Sequence, residues 1–124
     1  MSGKKKISVL LVDDDPNMQR MVSIYFAKDD INLDIAENGR SALKRISENN
    51  YDILITDMQM PLMDGMELIG KIKKLKYKFP IIVISAFSQE DVINKYKTIG
   101  AFEVIQKPFD SKRLKQVIEK AIKN

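Results

Sequence analysis

Ile7-Ser8-Val9-Leu10-Leu11-Val12-Asp13-Asp14-Asp15 is the stretch whose reading decides the fold. Six uncharged residues run straight into three acids. A mostly apolar run bounded by polar residues reads as a buried strand. The same pattern recurs twice: Ile53-Leu54-Ile55-Thr56 runs into Asp57, and Phe102-Glu103-Val104-Ile105-Gln106 runs into Lys107-Pro108. In an open parallel sheet the carboxyl ends of the strands share one rim, and ligands bind there. At least three carboxylates and one ammonium are therefore expected at one small site.

Between these runs the apolar residues follow a helical period. Pro16 suits a first helical turn, and Met18, Met21, Val22 and Tyr25 form a stripe at i, i+3, i+4, i+7. Leu33 to Ala36 reads as a short second strand. Asn38-Gly39 is a turn signal, followed by a helix with Ala42, Leu43 and Ile46. Tyr51 to Asp57 is the third strand, and Pro61 to Gly65 a loop. Asp64-x-x-Glu67 opens a third helix carrying Ile69, Ile72 and Leu75. Pro80 ends that connection, and Ile81 to Ser85 is the fourth strand. Ser88-x-x-Asp91 has the pattern of a capping box for a fourth helix, which stops at Gly100. Ala101 to Gln106 is the fifth strand. Asp110 or Ser111 caps a last helix with a stripe at Leu114, Val117, Ile118, Ala121 and Ile122.

Five strands alternating with five helices predict an α/β fold, a parallel sheet doubly wound with helices on both faces. Strands one, three and four are almost wholly apolar, as central strands are. Asp34 in strand two, and Glu103 and Gln106 in strand five, place those two at the edges. The predicted order is 2-1-3-4-5. The 124 residues suit a single domain over 1–124, with residues 1–6 as a flexible amino terminus. A chain of this size buries roughly two thirds of its unfolded surface, enough for its own core.

Composition removes several classes of function. With no Cys and no His, there is no disulfide, no Cys/His zinc site and no Ser-His-Asp or Cys-His catalytic dyad. A reducing compartment fits. No run approaches the roughly 20 apolar residues that cross a bilayer, and the first apolar run is too short for a signal-peptide core. A cytoplasmic protein is expected. The net charge of +4 is mild. Basic residues gather at Lys4 to Lys6, Lys71 to Lys78 and Lys112 to Lys123 without aromatics interleaved in a stacking pattern, so they read as solvated faces and nucleic acid is not an expected partner of this domain alone.

The acids carry the chemistry. Two carboxylates about 5 Å apart repel by roughly 3 kcal/mol at an effective dielectric of 20. Lys107 offsets part of this, and a hard divalent cation offsets more. Mg2+ takes oxygen ligands and is commonly held by one or two carboxylates plus a phosphate. The site therefore reads as a magnesium-dependent phosphoryl site, with Asp13 and Asp14 on the metal and the backbone carbonyl of Gln59 as a further ligand. Helix capping accounts for Asp15, but not for Asp57 or Lys107. Asp57 leaves the middle strand, and an ionised Asp is a competent nucleophile toward phosphorus. Ser85 ends the neighbouring strand, where its hydroxyl can donate to a phosphoryl oxygen, and Lys107 can pair with another.

These residues form a recognisable set: Val12-Asp13-Asp14-Asp15, Asp57-Met58-Gln59-Met60-Pro61-Leu62-Met63-Asp64-Gly65, Ile84-Ser85-Ala86, Gly100-Ala101 and Lys107-Pro108-Phe109. Along its whole length the chain resembles the receiver domains of bacterial two-component response regulators, the CheY-like family, whose fold is flavodoxin-like. The resemblance implies that Asp57 accepts a phosphoryl group from a histidine kinase or a histidine phosphotransfer protein. It also implies that Asp13, Asp14 and Asp57 bind Mg2+, that Ser85 turns toward the phosphate and Lys107 pairs with it, and that the Lys107-Pro108 bond is cis. One departure stands out: the family commonly has an inward-turning Tyr or Phe three residues before the lysine, and this chain has Val104. Phe102 or Phe87 are candidates to replace it.

The expected function is a signalling phosphoacceptor that catalyses its own phosphotransfer and a slow autodephosphorylation, with no general enzyme turnover. Phosphorylation would shift an equilibrium toward a conformer that binds a downstream protein through helix four, strand five and helix five. Lacking His, the chain must receive its phosphoryl group from another protein. It ends after the last helix, so it is either a stand-alone regulator or a receiver fragment of a longer transcription factor. Three readings compete: an aspartyl-nucleophile phosphatase, a flavin module, and a CheY-like interaction module that is never phosphorylated. The phosphatase would need a cap region, the flavin module a phosphate loop where three acids stand, and the third leaves the acids and Lys107 without a task.

Overall fold

Strands and helices alternate without exception through residues 6–123, which the structure, a computed structural model, describes. The elements are β1 (Ile7–Val12), α1 (Pro16–Phe26), β2 (Ile31–Ala36), α2 (Gly39–Glu48), β3 (Ile53–Asp57), α3 (Gly65–Lys74), β4 (Ile81–Ser85), α4 (Glu90–Thr98), β5 (Glu103–Gln106) and α5 (Ser111–Lys123). All pairings are parallel, in the order β2-β1-β3-β4-β5, as the edge acids predict. The amino terminus expected to be flexible lies, apart from Lys6, outside the described residues.

Side-chain alternation splits the core into two layers, because successive strand residues point to opposite faces. Leu10, Val12, Leu54, Ile81, Val83 and Val104 face α2, α3 and α4, where they meet Ala42, Ile46, Leu68, Ile69, Ile72 and Tyr96. Val9, Leu11, Ile53, Ile55, Ile82, Ile84 and Ile105 face α1 and α5, against Val22, Phe26, Leu114, Val117 and Ile118. Burial on both faces is what a near-continuous apolar strand requires.

Most helix starts are set by side-chain caps read in the sequence. Asp15 accepts from the Asn17 amide at 2.9 Å, Asp64 from Glu67 at 2.8 Å and Asp110 from Arg113 at 2.9 Å. Two expectations need correction. Asn38-Gly39 is no free turn: Asn38 caps α2 by accepting from the Ser41 amide at 2.8 Å. Ser88 does not cap α4, which begins at Glu90 behind Gln89 with no side-chain cap bond. There Glu90 and Asp91 supply negative charge to the first turn.

Several boundaries also move. β2 starts at Ile31 rather than Leu33, β3 at Ile53 rather than Tyr51, and β5 at Glu103 rather than Ala101. Tyr51 instead packs in the core and donates its hydroxyl to Asp34 at 2.6 Å. Two members of the predicted helical stripes face solvent, Leu75 at 60% and Ile122 at 43% exposure: Leu75 lies at the C-cap of α3, and in the last turn of α5 Ala121 takes the core side. Gly100 ends α4 with φ +119°, a conformation that suits glycine.

Candidate functional site

Strand register builds the site. Val12 pairs with Thr56, Asp57 with Ile84, and Ser85 with Gln106, so Asp13, Asp57, Ser85 and Lys107 arrive at one rim. Oxygens of Asp13, Asp14 and Asp57 lie within 4.8 Å of one another. The Lys107 ammonium sits 3.4 Å from Asp57 Oδ1, and the Asp57 side chain keeps 13% of its surface exposed. The sequence-predicted carboxylates and ammonium therefore do converge. Gln59 lies two residues on, at an exposed position. The Lys107-Pro108 bond is cis, as expected.

Asp13 is fully buried. Its Oδ1 accepts from the Asp15 amide at 2.9 Å, while Oδ2 is buried without a hydrogen-bond partner. Burial chiefly pushes its pKa up to about 6, with the charges of Asp57 and Asp14 adding to the rise and the Asp15 amide and Lys107 opposing it. A buried, unpartnered carboxylate oxygen facing two more carboxylates is costly unless a cation shares the site. The donor set is all oxygen, which suits a hard divalent ion such as Mg2+.

Ser85 is also fully buried. Its hydroxyl donates to the Phe87 carbonyl at 3.0 Å, accepts from the Phe87 amide at 2.9 Å, and lies 3.7 Å from the Met58 sulfur. It is thus tied into its own loop. Residues 86–89 of that loop are exposed. Neither aromatic candidate substitutes for position 104 in the α2–α4 layer: Phe87 is 39% exposed, and Phe102 packs in the opposite layer.

Other positioning groups, Met58 and Gly65 of the quoted motif among them, have a role that only the fold assigns. Met58 donates its amide to Asp57 Oδ1 at 2.9 Å and offers its sulfur to Ser85. Gln19 of α1 donates to the Asp13 carbonyl at 2.8 Å. Gly65 donates to the Met58 carbonyl at 2.9 Å, and a Cβ there would stand 2.7 Å from the Asp57 carbonyl oxygen. A backbone atom cannot swing aside as a side chain can. Gly65→Ala is therefore expected to cost roughly 1–3 kcal/mol, read as a lower urea midpoint with unchanged slope.

Comparison with known proteins agrees with this arrangement. The response regulator receiver domain family matches residues 9–119. This chain belongs to that family. Regulatory protein AtoC of Escherichia coli (strain K12) is 31% identical over 114 residues, 92% of this chain and 25% of that protein. Sporulation initiation phosphotransferase F of Bacillus subtilis (strain 168) is 29% identical over 112 residues, 90% of each chain. Among solved structures, response regulator protein TrrA from Thermotoga maritima, in complex with Mg(2+)-BeF, superposes with a TM-score of 0.82 at 32% identity, covering 93% of this chain and 98% of that one. The chain thus spans about a quarter of AtoC. As a receiver domain of response regulators, it belongs to a class phosphorylated by histidine kinases. Among the described residues, no helix of this receiver is long and apolar enough to cross a membrane.

Proposed function

We propose that Asp57 is the phosphoacceptor of this receiver, and that the phosphoryl group comes from a phosphohistidine on a sensor histidine kinase or a histidine phosphotransfer protein. The observation that carries this is the meeting of three carboxylates and one ammonium at the part-exposed carboxylate of Asp57. One Asp57 oxygen attacks phosphorus. The P–O bond forms as the P–N bond breaks, and the electron pair returns to the imidazole nitrogen. Lys107 stands ready to pair with a phosphoryl oxygen, and the Met58 amide holds the carboxylate in place.

Asp13, Asp14, Asp57 and the Gln59 carbonyl are the residues that would hold Mg2+. When bound, the ion supplies positive charge that neutralises phosphoryl oxygens. The unpartnered Oδ2 of Asp13 supports this assignment.

For its hydroxyl to meet a phosphoryl oxygen, Ser85 must release the Phe87 carbonyl. That exchange moves loop 86–89 and biases the face formed by α4, β5 and α5 toward a downstream protein. The protein acts in the cytoplasm, either alone or as the receiver of a longer regulator. It catalyses only its own phosphorylation from the partner and the slow hydrolysis of its own aspartyl phosphate, and does not turn over phosphate esters.

The test is labelling by acetyl phosphate. The chain should gain one phosphoryl group with Mg2+ and none with EDTA, and Asp57→Asn should abolish the label. A labelled Asp57→Asn variant would mean another nucleophile. An unlabelled wild type would favour the interaction module that is never phosphorylated.

A further inference from the structure

Lys107 is the one member of the site that hangs from an edge strand. β5 has a sheet neighbour on one side only, β4. β1 and β3, which deliver Asp13 and Asp57, are paired on both sides. The Lys107 amide donates to the Ser85 carbonyl at 2.7 Å. Beyond it the chain leaves the sheet through Pro108, which has no N–H to donate. Regular structure resumes at α5, whose first turn Asp110 caps. On one side residues 107–110 border an open groove of about 680 Å³, which Ile93, Val104 and Arg113 also line. A loop so placed needs support on its other side if its lysine is to keep one position.

Tyr25 of α1 supplies that support. Its hydroxyl donates to the Phe109 carbonyl at 3.3 Å. Its ring meets the Phe109 ring edge-on, with centroids 6.4 Å apart and planes at 71°, an arrangement that adds to plain apolar burial. The hydrogen bond is long for a hydroxyl donor, so the ring pair carries most of the hold. Both rings are half-buried and pack against the layer of α1 and α5. Among the described residues, Tyr25 is the one side chain that hydrogen-bonds a carbonyl of this loop. As a member of the apolar stripe of α1 a leucine would serve as well, so the hydroxyl has no task in the core. Phe109 lies two residues from Lys107, whose ammonium is 3.4 Å from Asp57 Oδ1.

We propose that Tyr25 is a positioning residue for phosphotransfer: it clamps Phe109 and so holds the 107–110 loop where Lys107 meets a phosphoryl oxygen on Asp57. This rests on the phosphoacceptor role of Asp57 given above. A cation speeds such a step most when it already stands where negative charge gathers. The acids need no such clamp, because their strands fix them. Helix α1 thus serves both signs of charge: Gln19 bonds the Asp13 carbonyl at 2.8 Å, and Tyr25 steadies the loop of Lys107.

The test follows labelling of Asp57 by acetyl phosphate with Mg2+, acetate leaving as the Asp57 oxygen bonds to phosphorus. It compares the full chain with its Tyr25→Leu, Tyr25→Phe and Ile24→Ala variants. The NMR signal of the Lys107 ε-methylene is read before labelling and at equal label. Tyr25→Leu keeps apolar bulk and loses both contacts. At saturating acetyl phosphate it should label about tenfold more slowly, as a misplaced reacting group does. Its half-saturating Mg2+ should match the wild type, and the shift of its Lys107 signal on labelling should fall by more than half. Tyr25→Phe keeps the ring and should be about two- to threefold slower, for one long hydrogen bond lost. Ile24→Ala, next in the chain but 66% exposed, should match the wild type. Labelling of Tyr25→Leu at the wild-type rate would overturn the proposal. So would slow labelling with an unaltered Lys107 response or weakened Mg2+ binding, or an Ile24→Ala variant equally slow, since each places the loss elsewhere. Should Tyr25→Leu not fold, Tyr25→Phe decides, and a wild-type rate and lysine signal there overturn the clamp. A wild type that takes no label would overturn the phosphoacceptor role itself, and the positioning with it.

Discussion

Asp13→Asn should make the protein more stable at pH 7 while weakening its hold on Mg2+. In the fold the Asp13 carboxyl is raised from 3.8 to about 6, chiefly by burial. The folded state thus binds this proton more tightly than the unfolded state does. Stability attached to the group is fully present below about pH 4 and is lost as pH rises through about 6. At pH 7 the penalty is on the order of 2–3 kcal/mol. Asn fills nearly the same volume, can keep the bond from the Asp15 amide through its oxygen, and carries no charge. Without metal, its urea midpoint at pH 7 should exceed that of the wild type, and the gap should close as pH falls from 6 to 4. Added Mg2+ should raise the wild-type midpoint by mass action and raise the variant's far less. A variant no more stable than the wild type at pH 7, without metal, would remove the case for a strained acid.

Leu54→Ala should cost roughly 3–4 kcal/mol, the middle of the range for a buried leucine. Leu54 is wholly buried on β3, at the centre of the sheet, and packs in the layer beneath α2, α3 and α4. Its strand is flanked by β1 and β4, both hydrogen-bonded in register, so the backbone has little room to close the cavity. Ile122→Ala, at the end of α5, is the contrast. Ile122 is 43% exposed, and its truncation should change stability by less than about 0.5 kcal/mol. Urea unfolding of both variants separates the core that forms from the stripe that periodicity alone suggests. Equal losses would contradict the burial pattern.

Sheet order and the rim were legible because strand burial leaves a plain trace. A strand covered on both faces must be apolar at every position, and β1, β3 and β4 are nearly so. Strands with Asp34, Glu103 or Gln106 cannot be central. The acids and Lys107 were legible because each follows directly on such a run. What the sequence hid were groups whose task depends on geometry across the chain. Ser85 reads as a polar strand end, and nothing in its neighbours says that Phe87 and Met58 share its hydroxyl. Tyr96 reads as one apolar residue in a short helix, and only the fold shows it as the one residue of α4 that is fully buried. Ser88 was misleading because its pattern lies one position before the real cap. Ile122 continues a 3.6-residue period, but in that turn Ala121 faces the core and Ile122 is left partly exposed.

Helix α4 buries fewer residues than α3 or α5, and this bears on how such a protein can diversify. Asp13, Asp57 and Lys107 are held by strands locked side by side, where almost any change propagates. The outward surface of α4 is under less restraint, since only Tyr96 is fully buried and Val92 and Ile93 are half-buried against the core. New side chains can be tried there without disturbing the acid pocket, so the choice of listener and the trapping of phosphate can drift apart over generations.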